Sequence, residues 1–160
     1  MASLMGTKVV VVGGSSGIGL GVAKAALQRG AQLVIVGRSQ DKLLQAQRAL
    51  ATDGHVETVT ADMTREAEIS ATFAGIGSFD HLVSTAGAPP PGDPIADTDA
   101  DEVRRFVDNK LIGAVLLAKH AARRIKRGGS MTFTSGIHDQ GLRLDLRHCA
   151  GRAAGIGWHL

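Results

Sequence analysis

A glycine-rich run near the start of the chain, Val12-Gly13-Gly14-Ser15-Ser16-Gly17-Ile18-Gly19, carries the first chemistry. Gly13, Gly17 and Gly19 fall in the pattern G-xxx-G-x-G between an apolar β-branched run and an Ala-rich stretch. A tight turn needs glycine, a second glycine lets backbone approach a pyrophosphate, and a third lets a helix sit close to a sheet. The helix start then offers unpaired N–H groups and a partial positive charge. A structural turn alone would also tolerate glycines, but the strand–turn–helix context favours a phosphate site. The second chemical signal is Gly37-Arg38-Ser39, with no acid beside the arginine. A carboxylate there would suit a ribose 2′-hydroxyl and repel a 2′-phosphate, whereas Arg38 attracts the phosphate. The pair of signals predicts NADP(H) in preference to NAD(H), against the plainer reading of Arg38 as a solvated loop residue.

These groups need a frame, and hydrophobic periodicity supplies one. Residues 8–12 and 32–36 read as strands buried on both faces. Residues 18–29 and about 40–50 read as helices, with Gly30 stopping the first. Residues 55–60 predict a third strand, and 64–73 a short helix capped by Thr64. Residues 80–84 predict a fourth strand, followed by a loop over 88–94 that holds all four prolines. A long helix is expected over about 99–127, ended by Gly128-Gly129, and a fifth strand over 130–134. Strand and helix alternate throughout, which implies right-handed crossovers and an open parallel sheet with helices on both faces.

The glycine spacing resembles that of the short-chain dehydrogenase/reductase family, whose turn reads T-G-x-x-x-G-x-G. Val12 stands where the family has Thr. The resemblance covers essentially the whole chain and about the first two-thirds of a family member. It implies an α/β, Rossmann-type doubly wound parallel sheet in strand order 3-2-1-4-5, one NAD(P)-binding domain over 1–160, cut short after strand five and the start of the next helix. It also implies roles. Gly13, Ser15, Ser16, Gly17, Ile18 and Gly19 would line the pyrophosphate, Arg38 and Ser39 the 2′-phosphate, and Asp62 with Met63 the adenine. Ser84-Thr85-Ala86-Gly87 matches the family's N-N-A-G with both asparagines replaced, so Ala86 and Gly87 would bound the cofactor. Asn109 matches the helix asparagine of the catalytic tetrad, and Ser135 the catalytic serine.

The family transfers hydride between nicotinamide and a carbonyl or alcohol, with a Tyr as acid or base and a Lys that lowers its pKa. These stand in Y-x-x-x-K after the serine. This chain contains no Tyr. Counting 13 residues on from Ser135 reaches His148, in His148-Cys149-Ala150-Gly151-Arg152-Ala153-Ala154. The segment resembles Y-C-A-S-K-A-A with His for Tyr and Arg for Lys. Imidazole can move a proton near neutrality, and Arg152 keeps the cation. A decayed site, or a segment over 136–160 unrelated to the family, are the competing readings. Residues 137–160 hold no Lys, three of the six His, and the sole Cys and Trp. A non-catalytic nucleotide-binding module is therefore the alternative function.

Composition bounds the rest. The chain has 160 residues, 44% hydrophobic and 21% charged, which suits a globular domain rather than a disordered one. No apolar run reaches the roughly 18 residues of a membrane span, and the N-terminus lacks a secretory pattern. Net charge is only +3, and the basic residues are spread out except at Arg123-Arg124 and Lys126-Arg127, where a helix C-terminus would explain them. Nucleic acid and membrane are not expected partners, nor is a metal. Cys149 alone excludes an internal disulfide and fits a cytoplasmic setting. The resemblance implies pairing through the helix carrying Asn109 and the next helix, and with an uncovered fifth strand as well a homo-oligomer is expected. The substrate, a carbonyl or alcohol compound, is not legible.

Overall fold

The computed structural model describes residues 3–87, 97–136 and 153–159. Its elements follow the predicted alternation: β1 (Lys8–Val12), α1 (Gly17–Leu27), β2 (Gln32–Gly37), α2 (Gln40–Leu50), β3 (Val56–Thr60), α3 (Glu66–Ile76) and β4 (Phe79–Ser84). Then come α4 (Ala100–Val107), a π-helical segment over Asp108–Ile112, α5 (Gly113–Ala121), β5 (Ile125–Gly136) and β6 (Ala153–His159). The sheet order is β3-β2-β1-β4-β5-β6. The first five strands are parallel in the expected 3-2-1-4-5 order.

Strand alternation divides the core in two. On one face Val10, Val12, Val34, Val36 and Leu82 pack under α3 and α5, through Ile69, Phe73, Leu117 and Ala121. Phe73 and Phe79 meet there with ring centroids 5.6 Å apart. On the other face Val9, Val11, Leu33 and Ile35 meet Ala23, Ala26 and Leu27 of α1 and Leu43, Ala46 and Leu50 of α2. Successive side chains of a strand point to opposite faces, so an unbroken valine run serves both layers.

Two expectations are corrected. The long helix ends at Ala121 rather than near 127, and β5 starts at Ile125. Ile125 pairs with Phe79, whose N–H donates to the Arg124 carbonyl at 3.2 Å, so the buried Phe79 draws the chain into the sheet early. The register shifts before His81 pairs with Ser130, and Gly128, at φ +81°, stands in the irregular stretch. Lys126, expected near a helix end, instead pairs with Asp80 at 2.9 Å. The second correction concerns the edge. β5 is not the last strand: β6 pairs with it antiparallel, Met131 opposite Trp158 and Ser135 opposite Ala154. Residues 153–159, where the resemblance implies the start of the next helix, form this strand instead. An unpaired row of backbone groups beside β5 is satisfied by any extended segment, and Ile156 and Trp158 favour strand. The proline loop and 137–152 lie outside the described residues.

Candidate functional site

The glycine turn folds as a close-packed knot at the C-terminal end of β1. Gly13 and Gly17 take φ of +81° and +51°, where a side chain is strained. The Gly13 N–H donates to the Val36 carbonyl at 2.8 Å, which ties the turn to β2. Thr85, just past β4, closes it from the other side. Its N–H donates to the Val12 carbonyl at 2.9 Å, and its hydroxyl lies 3.2 Å from that oxygen and 3.4 Å from the Gly13 carbonyl. A Cβ on Gly19 would run into the Gly13 carbonyl and stand 2.6 Å from the Thr85 hydroxyl. The first turn of α1 therefore presses directly on the loop. Ser16 caps α1 without a side-chain hydrogen bond, and no acid stands in its first turn. Ile18 is 59% exposed beside it, an apolar side chain turned outward at the loop.

The loop sits between β2 on one side and β4 on the other, where the strand order reverses. Open α/β sheets bind ligands at such a crevice. On the β2 side, Ser15 reaches the strand end: its hydroxyl would lie 3.6 Å from a Cβ on Gly37. Arg38 follows, exposed, and Ser39 caps α2 by accepting the Lys42 N–H at 3.4 Å. Asp62 faces this corner. Its carboxylate accepts the Thr64 N–H at 2.9 Å and the Thr64 hydroxyl at 2.8 Å. The Thr64 N–H above all, with the Thr64 hydroxyl and the charges of Arg38 and Arg65, holds its pKa below the usual aspartate value.

On the β4–β5 side lies a cleft lined by Met63, Ser84, Ala86, Asn109, Lys110, Ala114, Leu117, Phe133 and Thr134. Thr134 donates to the Ser84 carbonyl at 3.3 Å, which joins its two strands. Asn109 stands on the π-helical segment, and its amide turns back to the Arg105 carbonyl at 2.7 Å. Its neighbour Lys110 reaches forward instead, with Nζ 3.4 Å from the Ala86 carbonyl. The lysine arm fills the space where a Cβ on Gly87 would stand. Burial pushes the Lys110 ammonium below the usual lysine pKa. Ser135 lies in β5, while His148, Cys149 and Arg152 lie outside the described residues.

The sequence reading missed Thr85 and Lys110. Lys110 had a signal. Gly113, Leu117 and Ala121 are the buried residues of α5, and Lys110 precedes them at helical spacing. A lysine on an apolar stripe must carry its charge somewhere special.

The cradle fits a nicotinamide dinucleotide: backbone packed too tightly for a Cβ at Gly13, Gly14 and Gly19, a helix start without a side-chain cap, and a cleft on the β4–β5 side of the switch point. Comparison with known proteins agrees. A family model described as enoyl-(acyl carrier protein) reductase matches residues 12–144. A short-chain dehydrogenase/reductase of Acremonium sp is 36% identical over 148 residues, covering 82% of this chain and 56% of that one. The L-fucose dehydrogenase of Oryctolagus cuniculus is 36% identical over 79% of this chain and 45% of its own length. Among solved structures, a short-chain type dehydrogenase/reductase from Mycobacterium ulcerans superposes with a TM-score of 0.73 at 36% identity, over 82% of this chain and 51% of that one. The chain belongs to the short-chain dehydrogenase/reductase family. It spans about half the length of these relatives.

Proposed function

We propose that the chain is the cofactor-binding part of an NADP(H)-dependent oxidoreductase acting on a small carbonyl or alcohol compound. The observation that carries this reading is the glycine knot, in which Gly19 abuts Gly13 and Thr85 locks both at the switch point. Gly13, Ser15, Ser16, Gly17, Ile18 and Gly19 would bound the pyrophosphate. Asp62, Met63, Ala86 and Gly87 would line the two flanks. Arg38, with Ser39 and Ser15 beside it, supports a 2′-phosphate and hence NADP(H) over NAD(H). Bound there, the cofactor would supply hydride to a carbonyl or accept it from an alcohol.

This chain's residues would orient the dinucleotide and meet the charge on the reacting oxygen. Ser135 can offer only a hydrogen bond. By the resemblance, His148 and Arg152 would take the places of the family's Tyr and Lys, and imidazole is a proton donor near neutrality. A second reading, a nucleotide-binding module without turnover, is favoured by one observation: the chain has no Tyr. Titration with NADPH, followed by turnover against a panel of ketones, separates the two. Saturable binding with any hydride transfer, however slow, supports the first, saturable binding alone the second, and no binding refutes both.

We further infer a homo-oligomer. Val103, Val107, Leu111 and Val115 recur at every fourth position along α4 to α5 and are 41%, 38%, 59% and 59% exposed. Such a stripe on a water-facing helix suits a second copy. The edge of β5, covered by β6, no longer contributes to that argument. Among the described residues no helix is long and apolar enough to cross a membrane, and no group of His, Cys, Asp or Glu is gathered to hold a metal. A cytoplasmic setting remains our reading from the single cysteine.

A further inference from the structure

Lys110 is the one cation among the residues lining the β4–β5 cleft, and its surroundings do not account for it. The ammonium has three protons to donate. Its hydrogen bond to the Ala86 carbonyl is long, at 3.4 Å. No carboxylate among the described residues forms an ion pair with it. The other walls are apolar or hydroxyl-bearing, apart from Asn109, whose amide donates to the Arg105 carbonyl. A methionine would fill the same space over Gly87 without the cost of half-burying a charge.

The position along the crevice says what the charge faces. The Ala86–Gly87 segment follows directly on Thr85, which is bonded to the glycine turn. Arg38 marks the opposite, β2 side. A dinucleotide laid across the turn with its 2′-phosphate at Arg38 must send its other half over Ala86 and Gly87 toward β5. That half carries a ribose whose neighbouring hydroxyls accept hydrogen bonds, and a flat ring that suits Leu117 and Phe133.

We propose that Lys110, not Asn109, is the polar side chain this helix presents to the nicotinamide half of the cofactor, with its ammonium donating to the ribose hydroxyls. The inference rests on the dinucleotide reading above. It adds a binding residue that the family resemblance places elsewhere. The π-helical turn over Asp108–Ile112 supports it, because the wider turn aims Asn109 back at Arg105 while Lys110 enters the cleft. Burial, which lowers the proton affinity of the lysine, also leaves its ammonium poorly solvated.

The test compares the full chain with Lys110→Met by calorimetric titration, using NADPH and adenosine 2′,5′-bisphosphate. The bisphosphate carries the adenosine half alone. Lys110→Met should weaken NADPH about tenfold, the worth of a charged hydrogen bond, and leave the bisphosphate unchanged. Equal NADPH affinity, or equal loss for both ligands, would overturn the proposal while leaving the cofactor reading in place. Absence of both ligands from the wild type would overturn the two together. Should the variant fail to fold, lysine acetylation of the wild type decides. NADPH should shield Lys110 and the bisphosphate should not, with the exposed Lys24 on α1 as the internal reference. Unshielded Lys110 under saturating NADPH would contradict the proposal.

Discussion

Gly19, in the first turn of α1, packs so closely on the carbonyl of Gly13 that no Cβ fits between them. This contact sets the distance from helix to sheet and therefore the height of the phosphate cradle. Gly19→Ala should cost about 1–3 kcal/mol through overpacking. It should abolish NADPH binding even in the fraction that folds, because relief requires α1 to lift. Thermal melts and NADPH fluorescence on the same preparation check both parts. Full affinity with an unchanged melt would show that the loop does not hold the pyrophosphate.

Asp80 joins three strands at their start. Its carboxylate accepts the Lys8 N–H of β1 at 2.8 Å and the Lys126 ammonium of β5 at 2.9 Å. The Lys8 N–H chiefly, with Lys126, holds its pKa below the usual aspartate value. A carboxylate depressed in the folded state adds stability above the unfolded pKa of about 3.9 and loses it as pH falls through the folded value. Melting temperature should therefore be flat near neutrality and fall on acidification below about pH 4. Asp80→Asn should lower stability at pH 7 by about 1–2 kcal/mol, discounted for partial exposure, and flatten the acid limb. An acid limb identical to wild type would remove Asp80 from the account.

The apolar stripe on α4 to α5 predicts assembly. Leu111→Lys with Val115→Lys should shift the sedimenting species toward monomer and leave the fold intact, since both positions are exposed. A wild type that is monomeric at tens of micromolar would end this idea.

Carbonyl reduction by this chain is expected to be very slow or undetectable, with any residue of activity carried by His148. General acid help is worth about 10²–10⁴ in rate, and no Tyr is present to give it. A cation held beside the ring, the role the resemblance gives Arg152, would disfavour imidazolium. His148→Phe should remove what turnover exists, and His148→Tyr with Arg152→Lys should raise it. Ordinary turnover unaffected by His148→Phe would show that the active site is misplaced.

β1 and β2 were readable because each carries an unbroken apolar run, Val9 to Val12 and Leu33 to Val36, bounded by glycine or a polar residue. The glycine cradle was readable because backbone geometry restricts which residue can stand at Gly13, Gly17 and Gly19. Three features were not. The end of the long helix at Ala121 depends on Phe79, 46 residues away from the Ile125 that it pairs with, and local pattern carries no such partner. β6 owes its place to the free edge of β5, a tertiary demand. Lys110 was hidden because Asn109 matched a motif one position earlier, although the helical stripe through Leu117 pointed to the lysine.

The central claim is that Arg38 and the glycine turn bind NADP(H). Its most direct measurement is the dissociation constants of NADPH and NADH for the wild type and for Arg38→Ala. The account predicts tighter NADPH in the wild type, a loss of about 1.5–3 kcal/mol, or roughly ten- to 150-fold, for NADPH in the variant, and nearly unchanged NADH. Equal loss for both cofactors, or no preference in the wild type, would contradict it.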